Sequence, residues 1–219
     1  MELAERARMF AALGDVTRLA LLDELAHGDL TPRALADALG TPGNLLTHHL
    51  GILQDSGLVR KRRSDVDGRS SYVQLTQVAR AVLPSRPMAR PKRIAFVCTA
   101  NSARSQLAEA LWHRASDIPA VSAGTHPALQ VHPGAVRAAG RLGFDLSHAV
   151  PRQAQGLLED DDLIISVCDS AGREIEPAHL HWSIPDPVMS DTPAAFDAAS
   201  TELAQRIDAL HHSIQGEES

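Results

Sequence analysis

The chain has 219 residues, 44% of them hydrophobic but only 3% aromatic, and 21 Lys/Arg against 27 Asp/Glu give it a net charge of −6. That length holds two domains of ordinary size or one large one, with cores built from Leu, Ala, Val and Ile rather than from rings. Two cysteines, Cys98 and Cys168, exclude a disulfide scaffold and a four-cysteine zinc site. The acidic start at Glu2 and Glu5, with no apolar run near the roughly 18 residues of a membrane span, argues for a cytoplasmic protein without signal peptide or membrane anchor.

The charge is unevenly spread. Residues 1–85 carry ten basic and ten acidic side chains, 86–93 four basic and no acidic ones, and 94–219 seven basic against seventeen acidic. Two halves of different kind therefore meet near Pro84-Ser85-Arg86-Pro87-Met88-Ala89-Arg90-Pro91, where the prolines forbid a helix. The expected division is a first domain over 1–83, a Pro/Arg-rich linker over 84–92 and a second domain over 93–219.

In chain order, Phe10 and Leu13 close a first apolar stripe before Gly14. Leu19, Leu22, Leu25 and Ala26 then recur at helical spacing, with Asp15 or Thr17 as N-cap and Gly28 as stop. Thr31-Pro32 and Thr41-Pro42 each put a capping hydroxyl before a proline, predicting helices over 32–39 and 42 to about 55, separated by Gly40 and ended by Gly57. This is helix-turn-helix spacing. Residues 58–63 and 71–75 read as strands around the turn Asp65-Val66-Asp67-Gly68, forming a basic hairpin with Arg60, Lys61, Arg62, Arg63 and Arg69. Such a hairpin suits a phosphate backbone while the second helix enters the major groove, leaving Asn44, Thr47 and His48 as base-edge readers and Arg62, Arg63 and Arg69 as backbone contacts.

The second half alternates strand and helix: a strand over 94–98, a helix to about Ala115, a strand near 121–125, and a helix from Pro133 to Leu142. Then come a strand over 163–167 ending at Cys168, a short strand near 181–184 before Asp186-Pro187, and a helix over about 192–214. That alternation predicts a parallel sheet with helices on both faces and a site at the carboxyl ends of the strands, where Cys98, Cys168 and Asp186 all fall. Cys98-Thr99-Ala100-Asn101-Ser102-Ala103-Arg104-Ser105, entered from an apolar strand and left through a helix, is an oxyanion cradle. Loop amides and the positive helix end converge, Arg104 forks onto two oxygens, and the same field holds Cys98 as a thiolate that Ser105 can hydrogen-bond.

Residues 7–83, through the run Leu45 to Val59, resemble the winged-helix repressors of the ArsR and MarR type, which implies DNA binding and a homodimer. Residues 92–215 resemble the low-molecular-weight tyrosine phosphatase fold through Cys98–Gln106, Ser122-Ala123-Gly124-Thr125, Gly143–His148 and His181–Pro187, and within it are most similar to the arsenate reductases. Val188-Met189 stands where the phosphatases place tyrosines after the Asp-Pro, and Cys168 stands where the reductases place a resolving cysteine. The resemblance implies Cys98 as nucleophile, Arg104 and the loop residues Thr99, Ala100, Asn101, Ser102, Ala103 and Ser105 as oxyanion holders, and Asp186 as general acid. It further implies no tightly bound cofactor but an external thiol reductant: thioredoxin, mycothiol or glutathione. Potassium-binding positions of some relatives match Asn101, Glu109 and Ser122. Ala100 replaces a common loop glycine, at a cost of about 1 kcal/mol if φ is positive there. The alternatives are a phosphatase acting on phosphotyrosine or a small phosphate ester, and an oxyanion-responsive regulator without turnover.

Overall fold

The computed structural model describes residues 2–175 and 178–215, and its chain separates into two units, Met1–Arg86 and Pro87–Ser219.

The first unit is mainly helical. α1 (Leu3–Leu13) is followed by α2 (Val16–Glu24), whose N-cap Asp15 accepts the backbone N–H of Arg18. α3 (Pro32–Leu39) starts as expected: the Thr31 hydroxyl accepts the Ala34 N–H, proline takes the first turn, and Gly40 ends the helix at φ 58°. α4 (Gly43–Asp55) departs from expectation. Pro42 itself is the N-cap and makes no side-chain cap, while the Thr41 hydroxyl turns back to the Leu39 carbonyl. The close turn after Gly40, where the Thr41 N–H is held by Ala36 O, leaves Thr41 committed to the preceding helix. Leu46, His49, Leu50 and Leu53 face inward from α4 against Leu21, Leu22, Leu25 and Leu35. β1 (Val59–Arg63) and β2 (Ser71–Leu75) form the antiparallel hairpin, with Arg62 opposite Tyr72, and Leu30 bridges to Val73 on the far side of β2. A short helix that the sequence did not announce, α5 (Gln77–Val82), is capped by Thr76 and followed by the extended Pro-rich segment. Arg86 stays with this unit: its carbonyl contacts His27 and its guanidinium donates to Asp23 O.

The second unit is α/β. Its sheet has the order β4-β3-β5-β6, all parallel, from β3 (Arg93–Cys98), β4 (Ala120–Gly124), β5 (Asp162–Ser166) and β6 (Leu180–His181). Central β3 is buried along its length because both neighbours and both faces cover it, which is why it reads Ile94-Ala95-Phe96-Val97 without alternation. The crossovers are α6 (Arg104–Ala115), α7 (Pro133–Arg141) and α8 (Asp169–Glu174); after β6 come the short α9 (Pro187–Ser190) and α10 (Pro193–Gln215), which closes the fold. The Phe96 ring packs against Trp112 and Trp182 at centroid distances of 6.3 and 6.0 Å, an anchor that ties α6 and the segment after β6 to one residue of β3. β6 is shorter than expected: Trp182 N still donates to Ser166 O, and Ser183 and Ile184 then leave the ladder to carry the chain towards Asp186.

Candidate active site

Sheet register sets the site. Cys98, the last residue of β3, pairs with Gly124 at the end of β4, and Val97 pairs with Ser166 in β5, so Cys168 follows two residues beyond that pair. Gly124 is required by approach rather than by dihedral: a Cβ there would stand 2.7 Å from Thr99 O and 3.0 Å from Asn101.

The loop's carbonyls are held on its outside. Those of Cys98, Thr99, Ala100 and Ser102 accept N–H groups of Thr125, His126, Ala128 and His132. In a trans peptide the following N–H points the opposite way, so the amides of Thr99, Ala100, Asn101 and Ala103 turn inward. One is seen at work: Asn101 N donates to Cys98 Sγ across 3.2 Å, and Ser105 Oγ lies 3.0 Å from the same sulfur. Ala103, the N-cap of α6, supplies no side-chain cap, which leaves that helix end to the site. The positive φ in the loop belongs to Asn101, at 47°, and not to Ala100, so the condition for strain at Ala100 is not met; asparagine tolerates this region better than alanine.

Arg104 and Asp186 meet at the loop mouth. Arg104 donates to Asp186 Oδ2 at 2.9 Å and to Ile184 O at 3.1 Å, while Asp186 Oδ1 accepts Val188 N as the N-cap of α9. The Asp186-Pro187 pair thus makes the turn that carries the carboxylate to the arginine.

Cys168 is a free, buried thiol, as is Cys98. Its sulfur lies 3.4 Å from Thr99 Oγ1 and accepts the Ala171 N–H as the N-cap of α8. Burial, then the neighbouring Cys98, pushes its pKa up, while Arg104 pulls the other way. Behind it a network missed by sequence reasoning holds the start of α8: Ser183 Oγ donates to Asp169 Oδ1 at 2.6 Å, and His181 bridges Asp169 and Ser166 Oγ. The adjacency of Cys168 and Asp169 was visible, but their partners come from the stretch around β6, which periodicity does not align with β5.

The three residues matched to a potassium site are otherwise engaged. Asn101 Oδ1 accepts Gln106 Nε2 and Arg152 N, and Asn101 Nδ2 donates to Ser105 Oγ and Ser122 Oγ. Glu109 Oε2 is paired with Arg152 at 2.6 Å, and the same Arg152 nitrogen lies 3.4 Å from Ser122 Oγ. Donors converge where a cation needs lone pairs, so these residues do not fit potassium.

In the first unit, Asn44, Thr47 and His48 share the exposed face of α4, although the Thr47 hydroxyl already donates to Gly43 O. Arg63 and Arg69 are exposed on the hairpin, whereas Arg62 is drawn to Asp65 at 2.6 Å.

Among the described residues no helix is long and apolar enough to cross a membrane, and no group of three or more His, Cys, Asp or Glu could hold a metal ion. The sequence profile of the low molecular weight phosphotyrosine protein phosphatases matches residues 93–219, and that of a helix-turn-helix domain matches 6–62. An arsenate reductase of Brevibacillus brevis is 35% identical over 133 residues, covering 55% of this chain and 94% of that protein. Arsenate reductase 2 of Staphylococcus epidermidis is 36% identical over 104 residues, 44% of this chain and 79% of its own. Among solved structures, an arsenate reductase in its phosphate-binding state is similar at TM-score 0.50 and 27% identity, covering 56% of this chain and 98% of that one. The arginine phosphatase of Geobacillus stearothermophilus shares the fold at TM-score 0.52 and 24% identity, over 58% and 96% of the two chains.

Proposed function

Since the chain belongs to the low molecular weight phosphotyrosine protein phosphatase family and carries a helix-turn-helix domain ahead of it, we propose that it reduces arsenate to arsenite at Cys98 and binds DNA through its first unit. The observation that carries the reductase reading is the second buried free thiol, Cys168, beside Thr99 of the nucleophile loop. A phosphatase of this fold needs one thiol; a reduction that delivers two electrons needs two.

In this reading the inward amides and Arg104 hold the oxyanion, and the Cys98 thiolate attacks arsenic. Asp186 protonates the departing oxygen, which leaves as water. A second thiolate then attacks Cys98 Sγ; the sulfur–arsenic bond breaks, its electron pair leaves with arsenic as arsenite, and a disulfide remains. Cys168 is the resolving thiol proposed here, and an external thiol donor such as thioredoxin, mycothiol or glutathione restores both cysteines. Two free thiols suit a reducing compartment, which supports a cytoplasmic protein.

Residues 1–83 are the proposed DNA-binding domain, 84–92 the linker and 93–219 the reductase domain. Asn44, Thr47 and His48 read base edges while Arg62, Arg63 and Arg69 meet phosphates. Leu3 and Phe10, seven residues apart on one face of α1 and 73% and 59% exposed, support a homodimer through that helix.

Incubation with arsenate, comparing thioredoxin and mycothiol systems, tests the reductase reading. Arsenite release together with a Cys98–Cys168 disulfide in the mass spectrum is expected; hydrolysis of phosphate esters with no arsenite under either system would overturn it.

A further inference from the structure

Arg152 reaches the nucleophile through three successive hydrogen bonds. Its backbone N–H fixes Asn101 Oδ1 at 2.8 Å, and its own carbonyl accepts the Gly124 N–H at 2.8 Å. Because a backbone N–H can only donate, the Asn101 amide has one orientation, with Nδ2 towards Ser105 and Ser122. Ser105 in turn touches Cys98 Sγ. The guanidinium lies between Glu109 and Ser122, so the point where Asn101, Glu109 and Ser122 converge already contains a positive charge.

We propose that the Arg152 guanidinium is the built-in cation of this site, positioning Asn101 and the Cys98 loop in the way a bound monovalent cation would, so that this chain works without potassium. The proposal rests on the reading of Cys98 as nucleophile but not on arsenate as substrate. Potassium needs oxygen lone pairs on several sides. Of these three residues Glu109 carries the carboxylate, which Arg152 neutralises; Asn101 presents its NH2, and Ser122 already accepts that NH2. A cation entering would meet two sets of N–H donors. The guanidinium is tethered by the chain, so its charge is not washed out. Glu109 and Arg152 border a groove of about 650 Å³ that Phe144, Leu146 and Val150 also line, while Asn101 and Ser122 are buried.

The test is the rate at which iodoacetamide alkylates Cys98 in the full chain at one fixed pH, read from the mass of the Cys98 peptide, in KCl and in NaCl of equal ionic strength. The wild type is expected to react equally in both salts. Arg152→Ser, which removes the guanidinium from Glu109, should change the rate by about fivefold and regain it in KCl but not in NaCl, and Arg152→Lys should keep the wild-type rate. Loss of a merely structural contact would not be recovered by one particular cation. A wild type that responds to potassium, or an Arg152→Ser chain that reacts as the wild type does in NaCl, overturns the proposal, and the wild-type comparison holds whether or not the variant folds. Alkylation consumes no arsenate, so a chain that failed to reduce arsenate would still decide this question separately.

Discussion

The thiol of Cys168 stands 3.4 Å from the hydroxyl of Thr99, the residue that follows Cys98 into the oxyanion loop. The second sulfur is thereby at the rim of the first one's pocket, held there because it caps α8 and because the Asp169–Ser183 pair ties that helix start to the segment after β6. Cys98→Ser is expected to abolish both arsenate reduction and phosphate-ester cleavage. Cys168→Ser should lose thioredoxin-coupled arsenate turnover by more than about a thousandfold while keeping any phosphate-ester cleavage. Full arsenate turnover by Cys168→Ser with a small-thiol donor would remove Cys168 from the resolving role.

Burial and the nearby Cys98 raise the pKa of the Cys168 thiol, so the folded chain holds this proton where an unfolded cysteine loses it. The resulting stabilisation is complete below the ordinary thiol pKa and disappears as pH rises through the higher folded value. The melting temperature of the reduced protein should therefore fall across the alkaline range, and less steeply in Cys168→Ser. Parallel curves for the two proteins, measured by calorimetry, would show that the Cys168 proton does not contribute.

Much of this arrangement was legible in the sequence because it depends on local signals. Thr31-Pro32 with Gly40 marked α3 to the residue, and an unbroken apolar β3 leading to Cys98 marked the central strand and the cradle. The partners that arrive from afar were not legible. Arg152 comes from a stretch without helix or strand between α7 and β5, and nothing in its neighbours signals that its backbone completes the Asn101 amide 51 residues away. The second Thr-Pro pair misled for a related reason: capping needs a free hydroxyl, and the tight turn at Gly40 had already spent Thr41 on α3.

That difference between the two threonines is measurable. Thr31→Ala removes a real cap and should destabilise the first unit by about 1 kcal/mol, whereas Thr41→Ala, which loses a hydroxyl contact of 3.4 Å to Leu39 O, should stay within about 0.5 kcal/mol. Urea denaturation of the two variants compares them directly, and equal losses would mean that Thr41 caps α4 after all.

Gly124→Ala puts a methyl against Thr99 O and Asn101, both part of the loop that must hold its shape. A cost of about 1–3 kcal/mol is expected, with kcat down by more than about tenfold because the cradle shifts. Gly140→Ala in α7 is the control: a Cβ there meets nothing within 4 Å, and it should gain up to about 1 kcal/mol from helix propensity with kcat unchanged.

On the hairpin, the three arginines assigned to DNA are not equivalent. Arg62 is paired with Asp65 at 2.6 Å and also donates to Arg63 O, so a phosphate would have to compete for a charge already neutralised, while Arg63 and Arg69 lie exposed. With DNA from the promoter of its own gene, Arg63→Ala and Arg69→Ala should each reduce the slope of log K against log salt by about 1, and Arg62→Ala by less. Asn44→Ala and His48→Ala, on the exposed face of α4, should instead relax the sequence preference and leave the slope unchanged. Fluorescence anisotropy over a salt series separates the two classes, and a wild-type chain that fails to bind at low salt would reduce the first unit to a helical accessory of the reductase domain.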